Sequence, residues 1–342
     1  MLALVFGLAI CASVQAASVP AGSPQRPAAT PPGYVKDADI IFVDANVLTM
    51  DDARPKARAF AIRGDRIVAV GTDDEVRRLE GFGTAVVDLE GRTVVPGFID
   101  GHQHRIGNRS LIGIERAEAI VEMALAEGLT TIDELYVDQS RLDELRDLDQ
   151  TGVLRLRVNA YLPINENSPE GRPLGDYYTA YHPGQMVSPH VRVAGLKVFT
   201  DFDNATRLLW NQEDLNAVLL KEHQNGWQLA VKTVSTRSLA MIIAAIRVIE
   251  RADPGVVAGR VRLEHNLFAT PDQIADIREL GIVPVINLNV PGELLGETDV
   301  DALIAREPRG SYAPWRSMFE AGIAPAGCSG FPSFYVVEPT GA

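Results

Sequence analysis

The stretch VVPGFIDGHQH, Val94 to His104, sets two histidines one residue apart at the end of an apolar run. Side chains two apart on a β-strand share a face, so His102 and His104 converge on one point. Two converging imidazoles suit a metal ion. The pattern alone is weak, because a strand histidine is more often hydrogen-bonded packing than a ligand. Its surroundings decide the reading.

Downstream of Pro96, strand-like runs alternate with helical ones: GFIDGHQH, LTTIDELYV, LRLRVNAYLP, VRVAGLKVFTDF, WQLAVKTVS, GRVRLEHNL, IVPVINLNV and IAPAGCSGF. Eight strands, nearly all followed by a helix or a long loop, predict an α/β fold of the closed (β/α)8 TIM type. A doubly wound open sheet is the alternative, and the lack of a Gly-rich phosphate loop weighs against a nucleotide site there. Upstream, short β-rich runs with turns at Gly64-Asp65 and Glu90-Gly91 predict a small antiparallel β unit over residues 38–95. The expected organisation is a signal peptide at 1–16, a Pro/Ala-rich linker at 17–37, the β unit at 38–95 and the barrel at 96–342.

The apolar core of the first 16 residues has the length of a secretory h-region and is too short to span a bilayer. Export to a periplasmic or extracellular location is therefore expected, with no integral membrane span. A net charge of −13 argues against a polyanionic partner, which would need a basic face to offset that field, so nucleic acid is not an expected partner. With Cys11 and Cys328 as the only cysteines, the first within the signal peptide, the fold rests on packing rather than disulfides.

Chemistry in such barrels sits at the C-terminal ends of the strands. The polar residues there are His102 and His104 on the first strand, Asp133 and Glu134 on the second, Lys197 and Asp201 at the fourth, Lys232 at the fifth, His265 at the sixth, and Cys328, Ser329 and Gly330 at the eighth. His182, His190 and His223 fall in loops or at a helix end and are expected to be solvated. The strand-end acids are likewise expected to be solvated, with Asp133, Glu134 and Asp201 as candidate replacement carboxylates. A loop from Ile164 to Pro189, carrying Tyr177, Tyr178 and Tyr181, is a candidate cover for the pocket.

A small β unit followed by VVPGFIDGHQH resembles the amidohydrolase superfamily. The text around Lys197 (GLKVFTDF), Lys232 (GWQLAVKTVSTRSL), His265 (RLEHNLFATPDQIADIRELGI) and Gly330 (GIAPAGCSGFP) resembles its amidohydrolase-3 type, over about residues 38 to 335. The resemblance implies a barrel hydrolase with one or two divalent metals, commonly zinc, acting on an amide or related carbon–nitrogen bond of a small-molecule or peptide-derived substrate. It implies His102, His104 and His265 as metal ligands, and Lys197 as the lysine that many relatives carbamylate into a bridging carboxylate; the plain alternative is a lysine paired with Asp201 or Asp203.

Two departures stand out. Lys232 occupies the place of a fifth-strand histidine, and Gly330 that of the aspartate that binds metal and acts as general base. The remaining ligands suit one four-coordinate ion better than two, and no catalytic base is assigned. The chain also ends before the strands that complete the β unit in relatives, which reads as a C-terminal truncation. The rival expectation is a decayed barrel that binds a small ligand or partner without turnover, Lys232 standing in for a metal's charge. A homo-oligomer is compatible with either.

Overall fold

A computed structural model describes residues 38–202, 207–255, 257–288 and 300–332. The expected signal peptide and linker, Asp203 and the last ten residues lie outside the described residues. The chain divides into two compact units, one ending at Pro96 and the other starting at Gly97.

In the first unit, Ile40–Val43 is the hub of a four-stranded sheet, antiparallel to Ala59–Arg63 and parallel to Ala85–Asp88, while Arg66–Gly71 pairs with Ala59–Arg63. A second sheet joins Lys56–Ala57, Asn46–Leu48 and Thr93–Val94. The unit is therefore mixed rather than antiparallel as expected. Strands 40–43 and 85–88 are separated by a hairpin and the helix Asp73–Arg77, enough chain to cross over and return in the same direction. Alternation puts Ile41 and Val43 inward on Ala59, Ala61 and Val76.

The second unit is a barrel. Its strands are β1 (Phe98–Gln103), β2 (Leu129–Glu134), β3 (Arg157–Pro163), β4 (Val191–Phe199), β5 (Gln228–Thr233), β6 (Val261–His265), β7 (Val283–Asn287) and β8 (Ala326–Cys328), each parallel to the next. The described helices are α1 (Ala117–Ala126), α2 (Gln139–Gln150), α3 (Gln212–Gln224), α4 (Thr236–Ala252), α5 (Pro271–Glu279), α6 (Val300–Arg306) and α7 (Trp315–Glu320). β8 comes back to β1: a Cβ on Gly101 would stand 3.0 Å from the Gly327 carbonyl oxygen, so glycine allows the close approach. Just beyond the strand, the Gly330 N–H donates to the His102 carbonyl at 2.8 Å and the His104 N–H to that of Phe331 at 2.8 Å. Eight strands in sequential order with helices outside are a TIM-type (β/α)8 barrel.

Residues between β3 and β4 form no α-helix; they carry a 3-10 turn, Tyr177–Ala180, and a short strand, Met186–Ser188, antiparallel to β4. Tyr177 and Tyr178 pack on the main core. The Tyr177 hydroxyl donates to the Val137 carbonyl at 3.2 Å, that of Tyr178 to Glu222 at 2.8 Å and that of Tyr181 to Gln139 at 3.0 Å. The tyrosine turn thus packs against α2, α3 and the ends of β2 and β3, while Asn167 of the same segment reaches Lys232 Nζ at 3.3 Å. Its tyrosines are wall material.

Candidate metal centre

β1 brings His102 to the barrel mouth fully buried. Its Nδ1 lies 2.5 Å from Glu264 Oε2, and the same carboxylate accepts from Arg262 Nε at 2.5 Å and Nη2 at 3.2 Å. A carboxylate facing a guanidinium only accepts, so His102 Nδ1 carries the ring proton and Nε2 presents a lone pair. That Nε2 stands 3.2 Å from His104 Nε2. Two nitrogens each 2.0–2.1 Å from one tetrahedral ion stand about 3.3–3.4 Å apart. The pair has the spacing of two ligands on one metal.

His265 enters from β6 by a departure from strand geometry. Neighbouring residues on a strand face opposite sides, yet Glu264 contacts His102 and the next residue, His265, sets its ring centroid 4.7 Å from that of His102. The backbone permits this because His265 has φ +71° and Asn266 φ +40°, in the left-handed region that side chains adopt rarely and at a cost of about 1–3 kcal/mol. Nδ1 of His265 lies 2.9 Å from Asn287 Oδ1 on β7, which makes it a donor and leaves Nε2 as the acceptor nitrogen.

All three rings are held uncharged. Burial pushes His102 and His265 well below the ordinary histidine value, helped by Lys197 for the first and by His102 and Lys197 for the second. Burial and the Lys197 charge bring His104 down to about 3. Lys197, on β4, is 1% exposed, and its Nζ has no hydrogen-bond partner among the described residues. Burial lowers its pKa to about 7. Its Nζ lies 5.3 Å from the centroid of the Phe199 ring, but a buried cation without a hydrogen-bond partner is costly, so burial favours the uncharged amine.

Lys232 does not join this group. Its Nζ lies 3.2 Å from Asp201 Oδ1 and donates to the Asp201 carbonyl at 3.0 Å and to Asn167 Oδ1 at 3.3 Å. The other Asp201 oxygen accepts from Val234 N and Ser238 Oγ at 2.9 and 2.7 Å. Asp201 is thus paired with Lys232 and not with Lys197. Gly330 has φ +68° and contributes only backbone.

The other acids were expected in solvent, but they are buried for structural reasons. Glu134 accepts from Gln103 Nε2 at 2.8 Å and from Gly107 N at 3.0 Å, pinning the turn after His104, and burial raises its pKa to about 7. Asp133 accepts from Arg262 Nη1 at 2.6 Å and Asn159 Nδ2 at 2.7 Å. His223 is also buried, 2% exposed, not solvated as expected. His190 pairs with Asp149 at 2.7 Å.

The sequence reading missed Arg262, Glu264 and Asn287. A signal for two of them was present: in VRLEH the charged residues 262 and 264 share one strand face, and two charges inside a barrel must find partners.

Among the described residues, no three His, Cys, Asp or Glu side chains already surround one point. The donor set fits one ion nonetheless: two imidazole nitrogens are at ligand spacing, a third imidazole is beside them, and an amine lacks a partner. It does not fit two, since Lys232 is an ammonium bound to Asp201 and Gly330 has no side chain.

Fold and site together define a TIM-type barrel with imidazoles and a buried lysine at the C-terminal ends of its strands. The profile of the amidohydrolase family matches residues 114–330, and the chain belongs to that family. It is 46% identical over 66 residues to an N-substituted formamide deformylase of Arthrobacter pascens, a match covering 19% of this chain and 12% of that one. It is 26% identical over 272 residues to an imidazolonepropionase of Symbiobacterium thermophilum, covering 66% and 61%. The chain thus spans less than two thirds of the length of these curated relatives. An uncharacterized metal-dependent hydrolase from Pyrococcus furiosus superposes with a TM-score of 0.66 at 14% identity, over 88% of this chain and 90% of that one. The zinc complex of an atrazine chlorohydrolase from Arthrobacter aurescens TC1 gives 0.56 at 16%, over 87% and 74%. No helix among the described residues is long and apolar enough to cross a membrane.

Proposed function

We propose that this chain hydrolyses an amide-type carbon–nitrogen bond in a small or peptide-derived molecule, using one divalent metal, zinc, held by His102, His104, His265 and Lys197. The observation that carries the reading is the 3.2 Å separation of the His102 and His104 Nε2 atoms in uncharged rings. A divalent cation there would lower the pKa of bound water towards neutrality and polarise the carbonyl under attack.

The chain's own residues divide the remaining tasks. His102 offers a bare Nε2; His104, whose Nε2 would donate to it across the 3.2 Å contact, would move that proton to its unpartnered Nδ1 to become a ligand, and His265 can supply a third nitrogen from β6. Lys197, whose pKa burial lowers to about 7, could as the free amine form a bond to the carbon of carbon dioxide and release a proton to solvent, giving a carbamate that would replace a buried cation with an anionic oxygen ligand. The Lys232–Asp201 ion pair occupies the end of β5 without competing for those nitrogens. Gly330 supplies no carboxylate to accept a proton from attacking water. Slow turnover follows.

The name of one relative puts N-substituted formamides first; hydantoins and simple amides follow as other substrates with an amide-type carbon–nitrogen bond. With zinc supplied, at least one class is expected to be hydrolysed, the activity vanishing on chelation and returning with zinc. Zinc-loaded protein that binds such compounds but turns over none would instead support the ligand-binding barrel that Lys232 and Gly330 favour.

A further inference from the structure

Beneath His102 lies a group of buried charges that the hydrolytic reading does not use. Arg262 reaches four partners: Glu264 through Nε and Nη2, Asp133 through Nη1 at 2.6 Å, the Tyr161 hydroxyl through Nη1 at 2.9 Å, and the Gly101 carbonyl through Nη2. Glu264 is wholly buried and Arg262 is 7% exposed. Burying charge on this scale costs several kcal/mol per ion and is often no more stable than apolar packing. Stability alone is thus a poor reason for its presence.

Its geometry points outward to the site. The guanidinium occupies both Glu264 oxygens and leaves Oε2 2.5 Å from His102 Nδ1. Gly101, whose carbonyl the guanidinium holds, precedes His102 in β1, so Arg262 fixes both the backbone leading into the imidazole and the carboxylate beneath it. Two carboxylates, Glu264 and Asp133, share this one guanidinium, so the carboxylate under His102 is held on the side away from the imidazole.

We propose that Glu264, locked by Arg262, is a positioning residue that holds His102 in its Nδ1–H tautomer and thereby aims Nε2 at the point shared with His104. This rests on the reading of His102 as a metal ligand. An imidazole with its second nitrogen hydrogen-bonded to a carboxylate is better oriented and more basic towards a metal, and losing such a partner typically costs 10–100-fold in affinity. Without Glu264 the ring can carry its proton on either nitrogen, and the Nε2–H form faces His104 with no lone pair.

The test uses a readout that needs no metal. Protein labelled with 15N at its six histidines is examined metal-free at neutral pH by long-range 1H–15N correlation, with His102 assigned by its loss in His102→Gln. Wild type is expected to show protonated Nδ1 and bare Nε2 at His102, and Glu264→Gln to show a mixture of tautomers. Zinc affinity, by chelator competition, is expected to fall at least tenfold in Glu264→Gln. Should that variant not fold, Arg262→Lys is expected to give the same changes to a smaller degree. Nε2–H in the wild type, or a Glu264→Gln variant with unchanged tautomer or zinc affinity within twofold of wild type, overturns the proposal. Wild type that shows the Nδ1–H tautomer but takes up no zinc overturns the hydrolase reading, and with it the purpose assigned to Glu264.

Discussion

Arg262→Met is expected to destabilise the barrel by about 4 kcal/mol, the cost of breaking a buried ion pair by removing one partner. The substitution leaves Glu264 and Asp133 without their shared guanidinium, and the Tyr161 hydroxyl and Gly101 carbonyl lose a donor. Burial already raises the Asp133 pKa with Arg262 opposing it, so removing the arginine favours protonating Asp133. Urea unfolding near neutral pH measures the effect, and adding Glu264→Gln should recover part of it because one stranded charge is removed. A loss below about 1 kcal/mol, typical of an exposed pair, would mean that the cluster is hydrated rather than dry.

Gly330→Asp is expected to raise the rate of carbon–nitrogen hydrolysis by about 100-fold, the lower range of what a positioned general base contributes. The backbone there is hospitable: φ is +68°, and aspartate enters this left-handed region more readily than most residues after glycine and asparagine. The Gly330 N–H already donates to the His102 carbonyl, so a side chain at 330 starts beside the first ligand strand. Steady-state kinetics on the best substrate of the wild type checks it. An unchanged kcat with the fold intact would mean that another group takes the proton, or that proton transfer does not limit the rate.

Much of the barrel was legible because its strands and helices follow different periods, and because each strand-end motif was local. His102 and His104 could be paired from strand alternation, although the strand itself ends at Gln103, one residue before His104. His265 could not be placed that way: alternation sets it opposite Glu264, and only the left-handed backbone at 265 and 266 turns it towards the mouth. Burial of the acids was also hidden, since Asp133 and Glu134 acquire their donors from residues 262, 159, 103 and 107. Such pairings depend on which strands become neighbours. The tyrosine segment misled for a related reason. Its length and aromatic content resemble a cover, but its tyrosine hydroxyls are taken by Val137, Glu222 and Gln139. The pairing of Lys232 with Asp201, rather than of Lys197, follows from the register of β4 on β5, which aligns Phe199 with Lys232 and brings the end of β4 beside it.

The measurement that tests the account most directly is the number of zinc ions bound per chain, by elemental analysis after saturation and removal of loosely held metal, in wild type and His104→Ala. About one ion per wild-type chain, and fewer than about one in ten of the variant chains loaded, is the predicted result, because three histidines and one lysine make one four-coordinate site. No retained zinc in folded wild type, or two ions per chain, would contradict it.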